Sequence, residues 1–171
     1  MVKGPTFIHP QTGKMYRINE YLTCSSAYVI YLLMCPCKLW YIGETTCEFK
    51  VRMNQHRYSI RKKRTDLPVP KHFLEFNHTE KDLKCKIIDA VPAQRRGGDR
   101  ELILKKKELK CIYELNTLKP NGLNVDFKIH TVISSLHIGY CQLLPLAWRT
   151  GRRTSNEDTT IKKLFPAEED S

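Results

Sequence analysis

Tyr28-Val-Ile-Tyr-Leu-Leu-Met34, then Cys35-Pro-Cys-Lys38, then Leu39-Trp-Tyr-Ile-Gly43 form the stretch on which the fold turns. The first run is β-branched and aromatic and apolar at every position, as expected of a central strand buried on both faces. Four residues containing a proline then interrupt it, and a second aromatic run follows, which is the signature of a β-hairpin. With the turn centred on Pro36, Tyr31 and Tyr41 fall directly opposite each other and point to one face.

Outward from the hairpin, Glu48 to about Arg61 has helical periodicity, and a shorter helix is expected over Lys71–Phe76. Leu83–Val91 reads as a third strand, closed by Pro92. Gly97-Gly98 breaks the chain, and Asp99 is a suitable N-cap for a helix to about Leu115. The order hairpin, helix, helix, strand, helix predicts an α/β unit: a small mixed or antiparallel sheet flanked by helices. Residues 1–22, with Pro5, Pro10 and Gly13, read as a lead-in segment, and 23–128 as the domain. Residues 129–150 are moderately apolar near helical spacing and read as an extra helix. Residues 151–171 are polar and read as a disordered tail.

The 171 residues carry 29 Lys and Arg against 18 Asp and Glu, a formal charge of +11, with pI near 9.4. Such a balance asks for a polyanionic partner, with nucleic acid ahead of an anionic membrane. Eight basic residues and one acid lie between Lys50 and Lys71, and a second basic stretch runs from Arg95 to Lys110. A pair of such stretches in a small domain suits a phosphate-backbone groove. Hydrophobic residues make up 41%, which supplies a core and argues against full-length disorder. The longest clean apolar run, Tyr28–Met34, is too short to span a bilayer. The start lacks the apolar stretch of a secretory signal, so an intracellular protein is expected, and Arg61-Lys-Lys-Arg64 suits a nuclear one. In a reducing compartment the seven cysteines read as metal ligands or buried thiols before disulfides.

Three polar placements stand out. On the first helix, Phe49, Met53, His56 and Ile60 follow one stripe, so His56 lies on the buried side, with Arg52 one turn before it. His56 is then either a satisfied core histidine or part of a site. On the last helix, Glu108 shares a stripe with Leu104, Cys111 and Leu115; there a carboxylate is costly unless it is paired or holds a cation. An ion pair with Lys105 or Lys107 is the ordinary explanation, and Glu101 is the rival carboxylate. The third placement is the tyrosine pair on the hairpin. Two phenols, a guanidinium, an imidazole and a carboxylate in a basic domain suit phosphodiester cleavage: a base activates water, a cation stabilises the pentavalent phosphate, and a carboxylate places a metal ion.

Val29-Ile-Tyr31, nine intervening residues, Tyr41-Ile-Gly43, Arg52-x-x-x-His56, Glu108 and Pro120-x-Gly-Leu-Asn124 together resemble the GIY-YIG endonuclease domain. Val29 stands where the wider family has Gly. Cys35-Pro-Cys37, Lys71-His-Phe73, Arg96-Gly-Gly-Asp-Arg100 and Leu115-Asn-Thr-Leu-Lys-Pro120 are similar to the version carried by Penelope-like retroelements. The resemblance spans about Cys24 to Val125. It implies a metal-dependent DNA endonuclease with the site on the sheet face and no small-molecule cofactor. Tyr31 and Tyr41 would bracket the attacking water, one as general base. Arg52 would stabilise the phosphate, His56 assist proton transfer, Glu108 hold Mg²⁺ or Mn²⁺, and Asn124 order the metal and water shell. A phenol acting as base would need Arg52, His56 and the metal to favour its ionised form. No polymerase accompanies the domain in these residues, so the chain reads as a remnant or domesticated retroelement domain. The alternative is a catalytically inactive DNA-binding module using the same basic surface.

Cys35-x-Cys37 and His72-x₅-His78 suggest a structural zinc site, since zinc accepts thiolates and imidazoles tetrahedrally. One residue between the cysteines is tighter than usual, and reduced turn thiols with surface histidines are the competing reading. The Penelope-like resemblance implies a Cys–Cys–His–His ligand set in this position, which favours zinc tying the hairpin tip to the following helical segment.

Overall fold

The computed structural model describes residues 4–10, 12–18, 21–93 and 98–125. Five strands and three helices follow in the order β1 (Thr6–Ile8), β2 (Met15–Arg17), β3 (Val29–Met34), β4 (Trp40–Thr45), α1 (Phe49–Arg61), α2 (Pro68–Glu75), β5 (Lys84–Ala90) and α3 (Arg100–Glu114). Strands β4, β3 and β5 form one antiparallel sheet with β3 in the middle, and β1 and β2 form a separate hairpin. The fold is mixed α/β, as the element order predicted. The expected helix over 129–150 and tail over 151–171 lie outside the described residues. No described helix is long and apolar enough to cross a membrane.

The central strand buries both faces. Val29, Tyr31 and Leu33 point to one side, among Phe49 and Met53 of α1 and Val69 and Phe73 of α2. Ile30 and Leu32 point to the other, with Trp40 and Ile42 of β4 and Leu104, Ile112 and Leu115 of α3 and its C-cap. Phe7 and Tyr16 of the β1–β2 hairpin pack on this second cluster. Residues 1–22, expected to be only a lead-in, therefore contain a hairpin that covers part of the core.

The main hairpin is centred one residue later than expected. Cys35 N–H donates to Leu39 O and Lys38 N–H to Cys35 O, each at 3.0 Å, with Lys38 in the left-handed region at φ 65°. The connection thus centres on Cys37 in place of Pro36. Tyr31 faces Gly43, and Tyr41 faces Leu33. Moving the centre by one residue shifts the register by two, so both phenols stay on one face, diagonal to each other. Between β3 and β5 the register slips at Ile30/Tyr31, a bulge that leaves Ile88 unpaired beside Tyr31.

Helix α2 begins at Pro68, earlier than the expected Lys71. Its prolines sit at the first positions, where the missing N–H has no intrahelical acceptor anyway. Asp99 caps α3 as expected, its side chain accepting from Leu102 N–H at 2.9 Å. Arg100 donates to Val91 O and lies 3.7 Å over the Tyr28 ring. Lys107 donates to both oxygens of Asp89, at 2.7 and 2.8 Å, so its ammonium is committed to β5. The fully buried residues of α3 are Leu104, Leu109 and Ile112, so the stripe is rotated from the expected one and Glu108 sits half-buried on its flank.

Candidate active site and metal centre

Tyr31 is fully buried, and its hydroxyl has two partners. The Arg52 Nε–H donates to it at 3.0 Å, and His56 Nε2 lies 2.8 Å away. Burial and the nearby Arg52 charge push the His56 pKa down to about 3, so its ring is neutral and Nε2 can accept the phenol proton. The chain of donors therefore runs from Arg52 through Tyr31 to His56. Arg52 is oriented by a second bond from its Nη1 to Gln55 Oε1 at 3.0 Å. Residues 52, 55 and 56 lie within one turn of α1, which places all three on adjacent surface.

Gly43 explains how the phenol fits. A Cβ built there would lie 2.6 Å from the Tyr31 hydroxyl and 2.9 Å from Tyr41 Cε1, so both rings fold across the glycine backbone. Tyr41 approaches the His56 ring edge-on, with centroids 6.0 Å apart. Tyr41, Arg52, Gln55 and His56 line a small cavity of about 100 Å³, closed on its other side by Pro68, Val69 and Pro70 of α2.

Glu108, on α3, acts on this group through its charge. Its carboxylate lies close enough to raise the pKa of both phenols: for Tyr41 it is the largest cause after burial, and for Tyr31 a smaller one behind burial and Tyr41. Arg52 opposes these effects. The net direction from the protein's own groups is upward for both; the expectation of an ionised phenol counted a bound metal along with Arg52 and His56. Neutral His56 contributes no positive charge, and desolvation dominates. Glu44, which sequence reasoning did not single out, also acts on Tyr41 and Arg52. Its position directly after Gly43 was the available signal. Two carboxylates acting on this group, Glu108 and Glu44, are hard oxygen donors of the kind that divalent cations take.

Asn124 is 5% exposed, and both ends of its carboxamide are used by one residue. Its Oδ1 accepts from Ile42 N–H at 2.9 Å and its Nδ2 donates to Ile42 O at 2.8 Å. Through these bonds Asn124 extends the edge of β4 and braces the residue between Tyr41 and Gly43. Gly122 permits this loop, since a Cβ there would fall 2.2 Å from Thr117 O.

At the hairpin tip, Cys35, Cys37, His72 and His78 bring their ligand atoms within 4.8 Å of one another, and they can bind a metal ion. His72 Nε2 lies 3.2 Å from Cys35 Sγ and 3.0 Å from Cys37 Sγ, and His78 Nε2 lies 3.4 Å from Cys37 Sγ. Metal–ligand bonds of about 2.0–2.3 Å give tetrahedral edges of about 3.3–3.8 Å, so a small outward shift accommodates zinc. Burial and the Cys37 contact raise the Cys35 thiol to about 12 in the absence of a cation, and burial keeps His72 neutral. Neutral imidazole is the ligand form, and a bound cation reverses the thiol shift.

The family model of the GIY-YIG catalytic domain matches residues 27–116 of this chain. No curated protein and no solved structure matches it.

Proposed function

Because the chain belongs to the GIY-YIG catalytic domain family, a family of nucleases, we propose that it is a metal-dependent DNA endonuclease that hydrolyses backbone phosphodiesters. The observation that carries the reading is the linked set Arg52–Tyr31–His56 beside the cavity that Tyr41 lines. The scissile phosphate docks at this cavity against Arg52, whose guanidinium uses two of its five N–H groups on Tyr31 and Gln55. Water attacks phosphorus. As the bond from phosphorus to the leaving sugar oxygen breaks, that oxygen takes a proton from solvent. The water proton passes to the Tyr31 oxygen and the Tyr31 proton to His56 Nε2, so no full phenolate has to exist. The phosphate against Arg52 offsets the guanidinium charge that disfavours the imidazolium. Tyr41 orients the water from the cavity wall. Glu108 would hold Mg²⁺ or Mn²⁺, which when bound supplies charge stabilisation at the leaving oxygen. Asn124 and Gly43 act through Tyr41 and Tyr31 as positioning residues.

The hairpin-tip cluster holds structural zinc in this reading, and the Cys35-Pro-Cys37 and Arg96-Gly-Gly-Asp-Arg100 features support derivation from a Penelope-like retroelement acting on nuclear DNA. Supercoiled plasmid incubated with the protein in Mg²⁺, Mn²⁺ or EDTA tests the activity. Nicked circles in either metal and none in EDTA are expected. Salt-sensitive binding with no nicking in any condition would leave the DNA-binding module as the correct reading.

A further inference from the structure

The β1–β2 hairpin precedes the residues matched by the family model, yet a buried hydrogen bond ties it to the end of α3 and a ring contact ties it to β4, the elements that carry Glu108 and Tyr41. His9 is 4% exposed. Its Nδ1 accepts from Thr12 N–H at 3.2 Å, which leaves Nε2 as the protonated nitrogen. Nε2 then donates to Leu115 O at 3.0 Å. Leu115 is the C-cap of α3, where the final carbonyls have no intrahelical partner, so His9 supplies a donor from 106 residues away.

The same imidazole meets Trp40 edge-on, with centroids 4.8 Å apart. Phe7, stacked on Tyr16 at 5.2 Å, meets that indole at 5.9 Å. A second buried anchor fixes the start of the hairpin: Lys86 Nζ, on a residue 2% exposed, donates to Thr6 O at 2.7 Å. Trp40 immediately precedes Tyr41 on β4, and Glu108 lies two turns before Leu115 on α3. One side chain therefore touches the strand that carries a phenol and caps the helix that carries the carboxylate.

We propose that the β1–β2 hairpin is a clamp that fixes Glu108 on α3 relative to Tyr41 on β4, with His9 as its positioning residue. The catalytic consequence rests on the metal role of Glu108 given above; the mechanical consequence does not. In the full chain, His9→Ala removes the donor and the indole contact. Amide exchange at Leu115 and Asn116, measured without metal or DNA, is expected to speed up about five- to thirtyfold, the factor for losing one buried hydrogen bond. The Mg²⁺ concentration for half-maximal nicking is expected to rise by a similar factor while DNA affinity stays unchanged. His9→Gln, whose carboxamide can donate to Leu115 and accept from Thr12, restores most of both. Native exchange in folded His9→Ala overturns the clamp. Faster exchange with native Mg²⁺ dependence overturns its link to catalysis. If His9→Ala does not fold, Thr12→Pro removes the N–H that orients the ring and leaves the core filled. Native exchange in that variant overturns the clamp, and faster exchange with native Mg²⁺ dependence overturns the link to catalysis. A Glu108→Ala protein that nicks like the native one removes the metal role instead, and amide exchange still decides the clamp.

Discussion

Tyr31 holds its position through three neighbours that tolerate little change. Gly43 lies under its ring, so Gly43→Ala puts a methyl group 2.6 Å from the hydroxyl and must displace the phenol. Overpacking of this kind costs about 1–3 kcal/mol, to be read in urea unfolding, and under the proposed relay nicking is expected to be lost more than stability. Tyr31→Phe keeps the packing and removes the hydroxyl between Arg52 and His56. The single-turnover rate is expected to fall about 10²–10⁴-fold with DNA affinity retained; a native rate would remove Tyr31 from the proton path. His56 contributes to the loss of stability in acid. Its folded pKa of about 3 lies below the ordinary value of 6.5, so as pH falls the unfolded chain takes up the proton first. Stability attributable to His56 is whole above about 6.5 and is lost between there and 3, with a slope of up to about 1.4 kcal/mol per pH unit. Unfolding of His56→Gln across mildly acid to neutral pH should show that slope flattened.

At the scale of elements, the legible parts were those whose side chains alternate or repeat cleanly. Strand β3 is apolar at every position, and α1 buries Phe49, Met53, His56 and Ile60 on the stripe its spacing predicts. The β1–β2 hairpin was not legible. Its strands are three residues long, and Phe7, stacked on Tyr16, holds it against Trp40, a contact between distant segments with no local periodicity. Register was half legible: the alternation put Tyr31 and Tyr41 on one face, but the left-handed Lys38 moved the turn centre. The role of Asn124 depends on a loop folding back to Ile42, which spacing cannot reveal. Asn124→Ala strands a buried donor and acceptor on Ile42, and a loss of about 2–4 kcal/mol in unfolding free energy is expected from two such groups. The Cys–His cluster joins the hairpin tip to α2 and the loop after it. Metal analysis of protein purified without added zinc should find about one zinc per chain, and His72→Ala should lower both zinc content and melting temperature. Protein free of zinc with an unchanged melting temperature would make the cluster a set of ordinary thiols and imidazoles.

Across the whole molecule, the +11 charge sets how DNA is held. Within the basic run at the end of α1, Arg61 pairs with Glu80 and Arg64 with Asp66, whereas Lys62 and Lys63 are exposed beside them. These lysines are the better phosphate contacts. Replacing both with Ala should flatten the plot of log affinity against log salt by about 1.8, two phosphates at about 0.9 each. The sheet brings Tyr31 and Tyr41 to one face, α1 sets Arg52 and His56 against them, and Glu108 of α3 acts on both phenols through its charge. That grouping is what the proposed hydrolysis rests on, and in that proposal Glu108 is the member on which metal dependence turns. The decisive comparison is Mg²⁺-dependent plasmid nicking by the native chain and by Glu108→Gln, with DNA affinity measured on both. Nicking abolished in Glu108→Gln with affinity intact is the expected result; nicking at the native rate in that variant would contradict metal-dependent hydrolysis at this site.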